Sequence, residues 1–173
     1  NEINLEFLKE TQINRLLDQK DIAISKIEAL NNLSLEDKQD YIDSINNHYS
    51  EAVTQIENAS NSDLVTSVAN SKANEINLEL LTTIKEDAKI EVDNKFDESL
   101  TKIDTLDNLT PEEKINYADE LQAIKDDAYA KIDEATSEAD IIDTKNDTLS
   151  DLDKLVLDAV KEDVTNELTQ KAN

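Results

Sequence analysis

Residues 33–41 read Leu33-Ser34-Leu35-Glu36-Asp37-Lys38-Gln39-Asp40-Tyr41, and residues 109–117 read Leu109-Thr110-Pro111-Glu112-Glu113-Lys114-Ile115-Asn116-Tyr117. Both are helix starts. Ser34 with Asp37, and Thr110 with Glu113, stand at capping spacing, where a hydroxyl accepts from an amide that the first turn leaves unpaired. The acidic residues that follow oppose the positive end of the helix dipole. Pro111 falls at the first helical position, where its missing N–H removes nothing. The two stretches lie 76 positions apart, and the match runs on in both directions. Ile27, Leu30, Ile45, Ala52, Ile56 and Ala59 return as Ile103, Leu106, Leu121, Ala128, Ile132 and Ala135. A period of this size marks a tandem array of supersecondary units.

Downstream of each start the apolar residues keep helical spacing. Positions 42, 45, 49, 52, 56 and 59 read Ile, Ile, Tyr, Ala, Ile and Ala, a heptad seam. In the second copy, Lys125 interrupts the seam and Ile124 beside it supplies the apolar contact. Ser60 with Asp63, and Ser137 with Asp140, give the next cap signals. From Asp63 to Leu106 no proline, glycine or cap interrupts the apolar stripe, so one helix of about 65 Å is expected there. The chain thus predicts five helices, over 2–31, 35–59, 62–107, 111–135 and 138–171. The long one is expected to close one bundle and open the next. The expected fold is all-α: two tandem spectrin-like three-helix bundles in an elongated rod, divided as residues 1–85 and 86–173 inside the shared helix.

A second echo has a different spacing. Asn1-Glu2-Ile3-Asn4-Leu5-Glu6 returns as residues 74–79, an offset of 73 rather than 76. This predicts three residues missing between about Leu8 and Ile24, with a local overwinding of the packing or a bend in the rod. By the 76-residue offset Asn173 matches Asp97, and Asn1 matches Asn74 by the shorter one. Both ends are therefore expected to fall inside shared helices, as in a segment of a longer array.

Composition agrees with slender helices. Hydrophobic residues are 38% and aromatic ones 3%, too few for a large globular core, whereas charged residues reach 34%. The absence of glycine leaves tight hairpins and phosphate-cradling loops without their usual residue. A formal charge of −24 repels nucleic acid and anionic lipid. No cysteine is present, so no disulfide staples the fold. No apolar run reaches membrane-span length and no targeting segment is visible.

Chemistry-bearing constellations are sparse. His48 is the only histidine, has no cysteine or second histidine beside it, and is expected to face solvent. Paired Asp/Glu catalysis needs a concave, partly dry site that narrow bundles do not offer, so no catalytic, cofactor-binding or metal residue is assigned. Asp126-Asp127 and Asp151/Asp153 lack the glycine-containing loop of a calcium site. Tyr41 and Tyr117 occupy matched positions early in the second helix of each bundle. They are candidate partner-binding anchors, against the plainer expectation that each ring packs across the bundle end with its hydroxyl in water.

The pattern Ile-x-x-Leu-x-Asn-Leu-(Ser/Thr)-x-Glu-(Asp/Glu)-Lys-x-x-Tyr, followed by Ala-x-x-x-Ile-x-x-Ala, runs from Ile27 to Ala59 and from Ile103 to Ala135. It resembles the three-helix repeats of large Gram-positive cell-wall proteins, with the nearest likeness to giant extracellular matrix-binding proteins and adhesin stalks. The resemblance implies an extracellular, wall-anchored array that binds its neighbouring repeats. It also implies contact with a host protein such as fibronectin, fibrinogen or albumin. Tyr41-x-x-x-Ile45-Asn46-Asn47 is similar to albumin-binding three-helix modules, although Ser60-Asn61-Ser62-Asp63 stands where those modules use glycine. The expected task is a monomeric structural stalk, not an enzyme, with no cofactor, nucleic acid or membrane insertion. The alternative is a set of repeats that themselves grip a host protein through an exposed helix face.

Overall fold

The computed structural model describes residues 2–172. Among them the chain is all-helical: α1 (Glu2–Ala29), α2 (Leu35–Glu57), α3 (Ser62–Asp104), α4 (Pro111–Glu134) and α5 (Glu138–Ala172). The chain divides into two compact units, Asn1–Glu86 and Asp87–Asn173. α3 is unbroken and contributes to both.

The predicted caps form. The Ser34 hydroxyl accepts from the Asp37 amide, and Thr110 with Glu113 makes a reciprocal capping box with Pro111 in the first turn. Ser137 accepts from the Asp140 amide at 3.2 Å. One cap differs from expectation. α3 is capped by Asn61, whose Oδ1 accepts from Leu64 N at 3.0 Å, rather than by Ser60. The amide oxygen of Asn61 reaches that N–H from one residue further along, so α3 begins at Ser62.

α1 ends at Ala29 and α3 at Asp104, short of the predicted 31 and 107, and just beyond each end the backbone tightens into i→i−3 hydrogen bonds. Leu30 N donates to Ile27 O at 3.2 Å, and Leu106 N to Ile103 O at 3.1 Å. Lysines also satisfy carbonyls that the helix ends leave open. Lys38 Nζ donates to Glu28 O at 3.1 Å and also to Leu30 O; Lys114 Nζ donates to Asp104 O at 2.8 Å. Among the described residues no backbone φ is positive, so every turn is made without the left-handed conformation that glycine favours.

In the first unit the core consists of Leu16, Ala23 and Ile27 from α1, Ile45, Ala52 and Ile56 from α2, and Val65, Ala69 and Ile76 from α3, closed at one end by Ala59. In the second unit Phe96 and Ile103 from α3 meet Leu121 from α4 and Leu152, Val156 and Ala159 from α5, with Leu109 from the α3–α4 connection. Buried hydroxyls are satisfied within their own helices: Ser99 Oγ donates to Lys95 O, and Thr148 Oγ1 to Thr144 O. A core this narrow admits small polar groups only where the preceding turn supplies the acceptor. No helix among the described residues is long and apolar enough to cross a membrane.

The three-residue deletion expected in α1 is absent as a packing event. Leu5, Leu8, Leu16, Ala23 and Ile27 are buried or half-buried, and so are their 76-residue counterparts Leu81, Ile84, Val92, Ser99 and Ile103. The register is therefore constant through α1, which has no interruption to absorb a stammer. The repeated hexapeptide is instead out of step with the packing: Leu5 packs on the first core, whereas its letter-for-letter twin Leu78 is 65% exposed. Asn1 and Asn173, on which the matching of the ends rests, lie outside the described residues.

Ile45 and Leu121 fill the same place in the two units, and both are fully buried. Ile45→Ala and Leu121→Ala are each expected to cost about 2–5 kcal/mol. Urea unfolding followed by circular dichroism checks this, and a loss below about 1 kcal/mol at either position contradicts the packing.

Candidate functional site

Two features stand out on the bundle surfaces: a tyrosine pair shared by both units, and a histidine cluster found in one of them. Tyr41 and Tyr117 sit in the second turn of α2 and α4, and each ring packs on its own unit's core. The hydroxyls are not left to water. Tyr41 Oη donates to Glu86 Oε2, and Tyr117 Oη donates to Glu162 Oε2 at 2.6 Å. Glu86 and Glu162 are themselves 76 residues apart, so the same bond is built twice. Each links the middle helix of a unit to its last. This corrects the expectation of a solvated hydroxyl, and the signal was available in a pair of glutamates at the repeat spacing. Tyr117 also lines a shallow groove with Glu113, Glu120, Asp158 and Glu162.

The phenols keep their protons tightly. Burial first, then the hydrogen bond and charge of the facing carboxylate, push Tyr41 and Tyr117 well above the usual phenol range. Tyr129 behaves alike, through burial and then its bond to Asp93.

His48 is half-buried between α2 and α3, not simply solvent-facing as expected. Its Nδ1 lies 3.0 Å from Glu75 Oε2 and its Nε2 3.8 Å from Glu79 Oε2. Lys72 completes the group, with Nζ 2.6 Å from Glu51 Oε2 and 2.8 Å from Glu75 Oε2. His48 and Glu51 are three apart on α2, and Lys72, Glu75 and Glu79 recur at three and four on α3. That spacing brings them to one seam. The Lys72 ammonium is held above its ordinary pKa first by the bond to Glu51 and then by that to Glu75. Glu75 is correspondingly held below the usual carboxylate range, chiefly by Lys72.

The second unit has no such group. At the 76-residue offset His48, Glu51, Lys72, Glu75 and Glu79 become Ile124, Asp127, Thr148, Asp151 and Leu155. Ile124 and Leu155 pack on the second core, so the same seam closes apolar. The fold does not require the cluster.

The second unit places its polar contacts elsewhere. Lys125, the residue that breaks the seam, lies over the Phe96 ring at 4.7 Å and the Tyr129 ring at 5.6 Å, and its Nζ reaches Asp93 Oδ1 at 2.5 Å. Its stem covers apolar surface while its charge is paired. Burial works to raise the Asp93 pKa, but the bonds from Lys125 and Tyr129 outweigh it and the net shift is downward.

Among the described residues, one group, His48 with Glu51 and Glu75, has metal-ligand chemistry. Compared with known proteins, the chain is matched over residues 9–81 and 84–160 by a family described as a Domain of Unknown Function (DUF1542). No curated protein and no solved structure matches it.

Tyr41, Tyr117 and Tyr129 bind their protons more tightly folded than unfolded. Their contribution is therefore complete below the unfolded value of about 10 and is lost as pH rises through the folded values. Phenolate absorbance should rise together with loss of helix in alkali. Phenolate formation by these three tyrosines at the free-tyrosine midpoint with the helices intact would contradict their hydroxyl–carboxylate bonds.

Proposed function

We propose that this chain, which belongs to the DUF1542 family, serves as structural spacer repeats of a bacterial cell-surface adhesin. The domain is a repeat of Gram-positive cell-wall surface proteins. In this reading one repeat occupies residues 1–85 and the next 86–173, and the array holds a binding domain away from the wall. It performs no catalysis.

One observation carries the reading. On α5, Leu157, Val160, Val164 and Leu168 form an apolar stripe at helical spacing, and Leu157 and Leu168 are 53% and 64% exposed. Their counterparts 76 residues earlier on α3 are Leu81, Ile84, Ala88 and Val92, of which the last three are buried. The far part of α5 therefore carries the apolar pattern of a first helix, as α3 does. An acidic surface of net charge −24 suits a spacer, because it resists self-association and nonspecific binding to anionic surfaces.

A second reading is that the repeats themselves contact a host matrix or plasma protein. The groove at Tyr117, lined by four carboxylates, favours a basic segment as its occupant.

Appending residues 98–173 directly after Asn173 continues the 76-residue register, so small-angle scattering tests the spacer role. The original chain should give a maximum dimension of roughly 100 Å, and the extension should add about 35 Å with a proportional gain in helix. A compact particle, or an appended segment that stays unfolded, would sink it. For the second reading, immobilised fibronectin, fibrinogen and albumin should capture the chain at micromolar concentration, with loss on Tyr117→Ala. Absence of capture rejects it.

A further inference from the structure

The seam between α2 and α3 in the first unit holds a set of groups that packing alone does not explain. Its matched position in the second unit is filled by Ile124 and Leu155, which bury apolar area at no electrostatic cost. The first unit instead brings together one imidazole, three carboxylates and an ammonium. From His48, Glu51 and Glu75, one ligand atom each can be chosen so that all lie within 4.8 Å of one another. Two of these residues are locked three apart on α2 and the third is fixed on α3, so rigid elements position the set.

We propose that His48, Glu51 and Glu75 form a binding site for a divalent transition-metal ion of the zinc class, which takes the place of the Lys72 ammonium and clips α2 to α3.

Three observations support this. First, the position already holds a cation: Lys72 Nζ sits between Glu51 and Glu75 at 2.6 and 2.8 Å. A divalent ion gains more from the same two carboxylates than a single ammonium does, and the flexible stem of Lys72 lets its charge swing to solvent. Second, both ring nitrogens of the histidine face carboxylates. Nδ1 lies 3.0 Å from Glu75 Oε2 and donates to it, so an incoming metal ion displaces the Nδ1 proton and is shared between that nitrogen and Glu75, while Nε2 stays turned toward Glu79, 3.8 Å away. Third, the donor set selects the metal. One imidazole and two carboxylates suit a four-coordinate ion with water as the fourth ligand, whereas calcium wants six or more oxygens and magnesium a largely hydrated octahedron.

The surface bears many other carboxylates, which attract cations diffusely. The test must therefore separate a built site from the general field. Zinc alone is titrated into the full chain by calorimetry, with magnesium as a competitor and circular dichroism to confirm that each variant stays helical. The expected result is one saturable zinc per chain, not displaced by equimolar magnesium. His48→Ile, which installs the second unit's own residue and so preserves packing, should weaken binding by about tenfold or more. Lys72→Gln removes the competing ammonium and should tighten it. In nuclear magnetic resonance spectra, zinc should shift amides near residues 48–51 and 72–79 and leave those around Ile124 in place. Equal binding by the wild type and His48→Ile, zinc spread over many weak sites, or unchanged affinity in Lys72→Gln would each overturn the assignment.

Discussion

Each helix of this chain carries one narrow apolar stripe, and nothing folds until three stripes close on one another. The stripe is built from isoleucine, leucine, valine and alanine at alternating three- and four-residue steps, because charged residues occupy a third of all positions. A core one side chain deep has little tolerance for change. Ile27, Ile45, Ile56 and Ile76 in one unit, and Ile103, Leu121 and Leu152 in the other, are at or near zero exposure. Most of the remaining organisation serves to bring these stripes into register: caps that fix where helices begin, and lysines that close their ends.

The electrostatics follow from scarcity. Seventeen basic side chains face forty-one acidic ones, so a cation spent on a solvent-exposed helix face is lost to the interfaces. Several lysines bridge helices instead. Lys95 reaches Asp153 at 2.5 Å, Lys145 reaches Glu91 at 2.9 Å, and Lys89 reaches Asp133 at 2.5 Å. Pairs such as these, partly shielded by their own stems, hold more of their attraction than fully solvated ones. The first unit joins α2 and α3 through Lys72 and Glu51 and adds neutral groups for the same purpose: Gln19 Nε2 donates to Ala73 O at 2.8 Å and to Asn77 Oδ1 at 2.7 Å. The two units thus share a frame and differ in how its seams are filled.

Helix starts were legible in the sequence because a cap is a local device: Ser34, Thr110, Pro111 and Ser137 act within one turn. The 76-residue spacing was legible for the same reason, being a sum of such local signals. What depended on a third helix was harder to read. Letter identity suggested a three-residue slip in α1, but packing responds to which face a residue presents, and the buried positions kept their spacing. Asn61 outcompeted Ser60 as a cap by lying one residue closer to the amide it serves. The partners of Tyr41 and His48 lie 45 and 27 residues away along the chain on α3, where no pattern within α2 could announce them.

Because no turn here relies on a left-handed backbone, no position among the described residues is reserved for glycine. Most folds keep a few sites at which any other residue is costly, and those sites slow divergence between duplicated copies. This chain has no such anchor points in its connections. Once the buried stripe and the caps are kept, the remaining positions of a copy are open to ordinary substitution. Copies of one unit can then drift apart in surface chemistry without losing the ability to fold beside each other. The contrast between the polar seam of the first unit and the apolar seam of the second is what such freedom produces: a duplicated scaffold on which one member can acquire a trait of its own.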